Sequence, residues 1–230
     1  MANFRTHLTS GVTLGIAVPL LAMVVFSFTP FSWGTAALFF LLASVGAILP
    51  DMDSDSGVPF HLTFGVLALL ASSASAWYAW SRAPGDYQSV VVYALSALFF
   101  VWVVLGMLFK KFTCHRGMAH SIPAAFLAGL VLFSLADRLG LSEGEAFLFG
   151  LTLSLGYLLH LVLDELYAAV NFQGAHFAPT KALGSALKCF SHHRVINIAV
   201  YTCLFVLLLG NGRTVFALAK GFWQMYTGSV

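Results

Sequence analysis

Seven apolar runs succeed one another along the chain, at about 8–28, 33–49, 61–80, 89–109, 121–136, 146–167 and 195–209. A helix needs about 20 predominantly apolar residues to cross the hydrocarbon core of a bilayer, and about 17 suffice at the lower limit. In lipid every backbone N–H and C=O has to be satisfied inside the segment, which leaves such runs little choice but the helix. The expected fold is therefore all-α, a polytopic membrane helix bundle of about seven transmembrane helices (six to eight). Composition supports that choice: 60% of the 230 residues are hydrophobic and 9% charged, against about 25% charged in ordinary soluble domains. The connections are short, so 1–230 reads as a single integral-membrane domain.

The first run follows Arg5 and imitates a signal peptide, but it is long and no small-residue cleavage site follows it cleanly, so it reads as a retained span. Pro19 within it is tolerable in a membrane helix. Segment 168–194, rich in Gly, Ala, Phe and His, is expected along the interface as a loop or helix. Asn211-Gly212 predicts a turn, and the tail 213–230 an interfacial helix or a marginal last span. Net charge is +2 and scattered, which gives no basis for a nucleic-acid partner. Cys114, Cys189 and Cys203 lack paired spacing, so neither a disulfide framework nor a thiolate zinc site is indicated.

Ionisable residues inside such runs are costly and therefore informative. The run GYLLHLVLDE, 156–165, carries His160, Asp164 and Glu165. Residues four apart share a helix face, so His160 and Asp164 can reach one metal ion, or else staple two helices. In PDMDSD, Asp51, Asp53 and Asp55 alternate, which brings two carboxylates together in an extended or turn segment. An EF-hand is excluded because Ser56 and Leu62 stand where that loop needs Gly and Glu; a solvated acidic loop is the remaining alternative. In HRGMAHS, His115 and His120 flank a bend that Gly117 permits. Arg116 between them offers a bidentate phosphate grip, and a lipid-binding basic loop is the plainer reading of these cations. Ser121 beside His120 lacks the supporting motif of a catalytic triad. His61, His176, His192 and His193 read as interfacial or structural, with His192-His193-Arg194 able to line an entrance.

Counting spans gives these residues a common address. The N-terminus and the loops after even-numbered spans share one membrane side. His7 precedes span one, Asp51 and Asp53 follow span two, His115 and His120 follow span four, and His160 and Asp164 close span six. Scattered structural residues have no reason to obey that parity. The same side carries Arg5, Lys110, Lys111, Arg116, Lys181, Lys188 and Arg194, while the other carries Arg82, Arg138 and Arg213, with Lys220 unassigned. The positive-inside rule makes the first side cytoplasmic. Four imidazoles and three carboxylates without sulfur suit zinc, with manganese second. One zinc takes three or four protein ligands, so seven candidates imply two or more ions.

Together, His7, the P-D-x-D of 50–53, the H-R-G-x-x-H-S of 115–121 and the G-Y-x-x-H-x-x-x-D of 156–164 look like the YdjM family. The resemblance implies a bacterial inner-membrane protein and metal-dependent hydrolysis. Through its His/Asp pattern that family is distantly similar to zinc-dependent phospholipase C and P1 nuclease. After Asp164 this chain departs from the D-x-x-T-P-x-G-like continuation of many relatives, reading DELYAAVNFQGAHFAPTKALGSALK.

The expected function is hydrolysis of a phosphoester in a lipid or another membrane-associated substrate by a metal-activated water. His7, Asp51, Asp53, His115, His120, His160 and Asp164 are the expected ligands. Asp53 would also bridge ions or orient the water, Glu165 would support the site from behind, and Arg116 and Lys181 would hold phosphate. The alternatives are amide or ester hydrolysis by a zinc hydroxide, a metal transporter or sensor using the same cluster, and a scaffold with a structural metal. Transport would place ligands at mid-membrane depth with a route to the far face.

Overall fold

The computed structural model describes residues 2–26, 32–53, 58–112, 117–171, 176–177, 179–180 and 183–227. Its elements are α1 (Phe4–Phe26), α2 (Trp33–Ile48), a 3-10 turn (Leu49–Asp53), α3 (Val58–Arg82), α4 (Tyr87–Phe99), α5 (Gly106–Phe112), α6 (Ile122–Arg138), α7 (Glu143–Ala169) and α8 (Arg194–Thr227). A π-helical stretch, Phe100–Leu105, joins α4 to α5 without a break, so the described chain forms seven rods, as expected. Five segments are both long and apolar enough to cross a membrane: Trp33–Met52, Val58–Arg82, Tyr87–Lys110, Glu143–Ala169 and Arg194–Gly212. The other two rods are α1, with 23 residues, and α6, with 17.

Polar residues at the starts fix where these helices begin. Asn3 Oδ1 accepts the Thr6 N–H at 2.9 Å, and Ser32 Oγ that of Thr35 at 3.1 Å. Ser142 and Glu145 form a reciprocal capping box at the start of α7, satisfying two donors that would otherwise face lipid unpaired. Ser121 caps α6 and Pro123 sits in its first turn, where a missing N–H costs nothing.

The chain divides into two compact units, Met1–Pro50 with Gly117–Val230, and Asp51–Arg116. In the first, α2 and α7 pack backbone to backbone. A Cβ at Gly156 would strike the carbonyl of Ala43, and one at Gly46 would strike that of Leu153. Small residues let membrane helices approach this closely, where dispersion between backbones replaces the missing hydrophobic drive. Gly11 and Gly15 give α1 the same access to α2. Phe39 packs with Leu148 and Phe149 farther along the α2–α7 seam, and Tyr157 and Leu161 pack against Ala125 of α6.

In the second unit α3 packs on the α4–α5 rod. Phe60, Phe64 and Phe109 interleave, Trp102 fills the space over Gly65, and Lys110 Nζ lies 4.3 Å from the centre of the Phe60 ring. The outer faces are apolar, with Leu69, Leu70, Val91, Leu95 and Phe99 all exposed. Such helices suit lipid as their solvent. Trp77, Trp80 and Tyr87 mark one end, where amphipathic rings favour the headgroup level.

One expectation is corrected. The Asn211-Gly212 turn does not form: α8 runs through it for 34 residues, about 50 Å at 1.5 Å per residue. Asn211 Nδ2 donates to its own helix at Leu207 O and across to Ser134 Oγ of α6, both at 2.8 Å. A polar side chain that usually opens a turn is thereby used up inside the bundle. Segment 168–194 has no helix between Ala169 and Arg194 among the described residues. Val170–Asn171 pairs antiparallel with His176–Phe177, and residues 183–193 are irregular.

Two outcomes are expected from thermal unfolding in detergent. Gly156→Ala should destabilise by about 1–3 kcal/mol, the usual cost of overpacking, whereas Gly210→Ala, with open space around its Cα, should be neutral or mildly stabilising. A double-mutant cycle of Ser134→Ala and Asn211→Ala should return a coupling of about 0.6 kcal/mol, typical of intramembrane hydrogen bonds.

Candidate metal centre

Three histidines and a carboxylate are buried together at one end of the first unit. His7 and His120 are each 1% exposed, His160 0% and Asp164 3%. The helix starts place two of them. The Asn3 cap puts His7 in the first turns of α1, and His120 immediately precedes the Ser121 cap of α6. His160 and Asp164 lie one turn apart in the closing turns of α7, on the face that the small residues bring against α2.

Asp164 is the centre of the group. Its Oδ1 lies 3.2 Å from His7 Nε2 and accepts the Ala2 N–H at 3.1 Å, while Oδ2 faces His160 Nε2 at 3.8 Å. His120, His160 and Asp164 offer ligand atoms within 4.8 Å of one another. The rings of His7 and His160 stack with centroids 3.6 Å apart and planes at 15°, and His120 meets His160 edge-on at 5.6 Å. Two imidazolium ions stacked this closely would repel by about 4 kcal/mol even at an effective dielectric of 20. Neutral imidazole is the form that ligates metals.

His160 is held in one tautomer. Its Nδ1 lies 2.7 Å from the carbonyl oxygen of Ala47, in the last turn of α2, where carbonyls lose their intrahelical partners. Pro50 brings no N–H to that turn. A carbonyl can only accept, so Nδ1 donates, which leaves Nε2 as the ring atom on the Asp164 side, 3.8 Å from Oδ2. Metal-binding histidines are oriented by such a bond from the other nitrogen. His7 Nδ1 and Asp164 Oδ2, both buried, have no hydrogen-bond partner among the described residues. Groups buried so deeply carry a penalty of roughly several kcal/mol unless an ion or proton compensates them. The 3.2 Å between His7 Nε2 and Asp164 Oδ1 also fits two ligands of one zinc, given tetrahedral bonds of about 2.0–2.2 Å. The donor set fits a divalent ion.

The surroundings fix these side chains in place. Tyr157, three residues before His160 on the same face, donates its hydroxyl to the carbonyl of Ala119 and so holds the loop that carries His120. That loop closes with the His120 N–H on Gly117 O at 3.2 Å. Ser121 Oγ donates to Met118 O at 2.5 Å and accepts the Ala124 N–H at 3.3 Å. Its hydroxyl is thus engaged in the cap of α6.

Glu165 does not stand behind the ligands as expected. Its carboxylate accepts the backbone N–H of Gly184 and, at 3.3 Å, that of Ala186. Gly184 has φ +80°, which glycine alone adopts freely. Thr180 N–H on Ala168 O at 2.8 Å and Ile122 N–H on Lys188 O at 3.0 Å tie the same segment to α7 and α6. Glu165 therefore anchors a strap beside the site.

Asp51 lies on the 3-10 turn that follows α2 and opens the second unit. Asp53 closes that turn; its side chain and all of Asp55, Cys114, His115, Arg116 and Lys181 lie outside the described residues. His61 sits in the second unit against Phe60 and Trp102, and His192 and His193 are exposed before α8. Sequence reasoning missed Tyr157 and the Ala47 carbonyl. The i, i+3 spacing of Tyr157 and His160 was the available signal for the first; no side-chain pattern reports a carbonyl.

Tyr157→Phe is expected to cost about 1 kcal/mol, the net worth of one hydrogen bond. It should also speed amide hydrogen exchange at 117–121 while leaving α7 protected. Equal exchange in both proteins would remove Tyr157 from its positioning role.

A family model for the YdjM inner membrane protein matches residues 1–228. No curated protein and no solved structure matches the chain. With that match running nearly end to end over helices suited to a membrane, the chain belongs to the YdjM inner membrane protein family.

Proposed function

We propose that this protein is a membrane-embedded, metal-dependent hydrolase acting on a phosphoester of a lipid or lipid-linked substrate. The observation that carries this reading is the gathering of His7, His120, His160 and Asp164, all buried, at one end of a helix bundle. Three imidazoles and a carboxylate without sulfur favour zinc, with manganese as second choice. A bound divalent ion would lower the pKa of a water towards neutrality and stabilise charge on a phosphoryl oxygen.

The chain's own residues would contribute position and charge. His160, fixed by Ala47 O, presents Nε2 without rotating. Asp164 supplies the anionic ligand and keeps His7 aligned. Asp51, Asp53 and His115 extend the ligand set in this reading, enough for two ions, with Asp53 also orienting the hydrolytic water. Arg116 and Lys181 would hold the phosphate. Arg5, Lys188 and Arg194 stand with the ligand-bearing loops in the charge bias, which supports a cytoplasmic site. A headgroup-level site suits a lipid, whose scissile bond then need not leave the interface.

The test is phospholipid hydrolysis by the purified protein in mixed micelles. Turnover is expected to disappear with chelator and return with zinc. His160→Ala and Asp164→Ala should each lower it by at least about 100-fold, the scale on which disturbing a metal ligand's surroundings already acts, and both should stay folded by circular dichroism. A folded His160→Ala protein with undiminished turnover would contradict the assignment.

A further inference from the structure

Beside the ligands, α1 and α7 leave a cleft of about 380 Å³ lined by Thr9, Ser10, Thr13, Leu14, Ala17 and Leu159. Leu159 adjoins His160 in sequence, and Ser10 lies one turn beyond His7 on the same helix, so the cleft flanks the turns that carry those two histidines. Its polarity is graded. On a rise of 1.5 Å per residue, Thr9, Ser10 and Thr13 stand about 3–9 Å deeper than His7, and Leu14 and Ala17 about 10–15 Å deeper. The headgroup layer of each leaflet is about 5–7 Å thick before hydrocarbon begins. With His7 at headgroup level, the hydroxyls fall where a glycerolipid has its ester oxygens, and the apolar residues where its chains begin.

Hydroxyls in membrane helices commonly bond back to their own carbonyls, and that explains two of the three. Thr9 Oγ1 donates to Arg5 O at 2.8 Å and Thr13 Oγ1 to Thr9 O at 2.9 Å. Ser10 has no such bond among the described residues and is only partly buried. Its donor is free in the cleft, within a turn of the ligands.

The geometry points to this α1–α7 cleft as the lateral docking site of a glycerolipid from the surrounding membrane, with the Ser10 hydroxyl donating to an ester-region oxygen. The inference rests on the lipid-substrate reading above and adds the route by which the substrate arrives and the residue that senses its linker. A headgroup at the ligands and a chain along Leu14 and Ala17 then belong to one molecule, and the lipid reaches the site without crossing water.

The test uses the full chain in vesicles of phosphatidylethanolamine and phosphatidylglycerol containing a phosphatidylglycerol with a diazirine near the ester end of one acyl chain. After irradiation, adducts mapped by mass spectrometry are expected to concentrate on residues 9–17 and 159, several-fold above those around Leu209, a lipid-exposed position on α8 that is 69% exposed. Ala17→Trp, which fills the cleft, should abolish most of this labelling, leaving the adducts at Leu209 and the bound zinc per chain unchanged. Ser10→Ala, the variant least able to disturb folding, should lower it about threefold, the worth of a modest hydrogen bond. Labelling spread evenly over lipid-facing helices, or indifferent to both substitutions, would overturn the proposal. Even labelling with zinc retained would strike only the cleft; cleft labelling without bound zinc would strike only the hydrolase reading.

Discussion

The contact between α2 and α7 is the constraint on which the rest of the first unit depends. Membrane helices gain little from hiding apolar surface from lipid, so they need another reason to associate in one register. Here the reason is the absence of side chains at Gly46 and Gly156, which lets one backbone lie against the other. That register sets His160 against the carbonyl of Ala47. An imidazole whose tautomer is set by a backbone atom cannot be reoriented without moving a helix.

From that seam the site follows in steps. His160 presents Nε2 on the side where Asp164 stands one turn later. Asp164 in turn receives His7 and the Ala2 amide from the start of α1. Tyr157, one turn earlier on α7, reaches the loop before α6 and sets the level of His120. Every ligand candidate within this unit is thus referred to α7, the most buried of the five membrane-length segments. The polar groups at stake are expensive to bury, and their concentration in one place argues that a compensating charge belongs among them.

Much of this was legible in the sequence, for identifiable reasons. Apolar runs of membrane length leave few folds, so the helical bundle of about seven rods was readable from hydropathy. The i, i+4 pair His160 and Asp164 was readable from helical period, and span parity brought His7 and His120 to the same pole. Asn211-Gly212 misled because the dipeptide's turn preference is local, whereas its fate was decided by Ser134 on another helix. Glu165 misled for the converse reason: its neighbours in sequence are ligand candidates, but its partners are amides of a strap that folds back from residues 184 and 186. The role of Ala47 was invisible because it resides in a main-chain oxygen.

The central claim is that His7, His120, His160 and Asp164 hold a divalent ion, and X-ray absorption at the zinc edge of purified protein tests it most directly. The account predicts at least one zinc per chain, first-shell nitrogen and oxygen at about 2.0–2.2 Å, outer-shell scattering from two or more imidazoles, and loss of that spectrum in Asp164→Ala. A well-folded protein that takes up no zinc, or zinc bound through sulfur at about 2.3 Å, would contradict it.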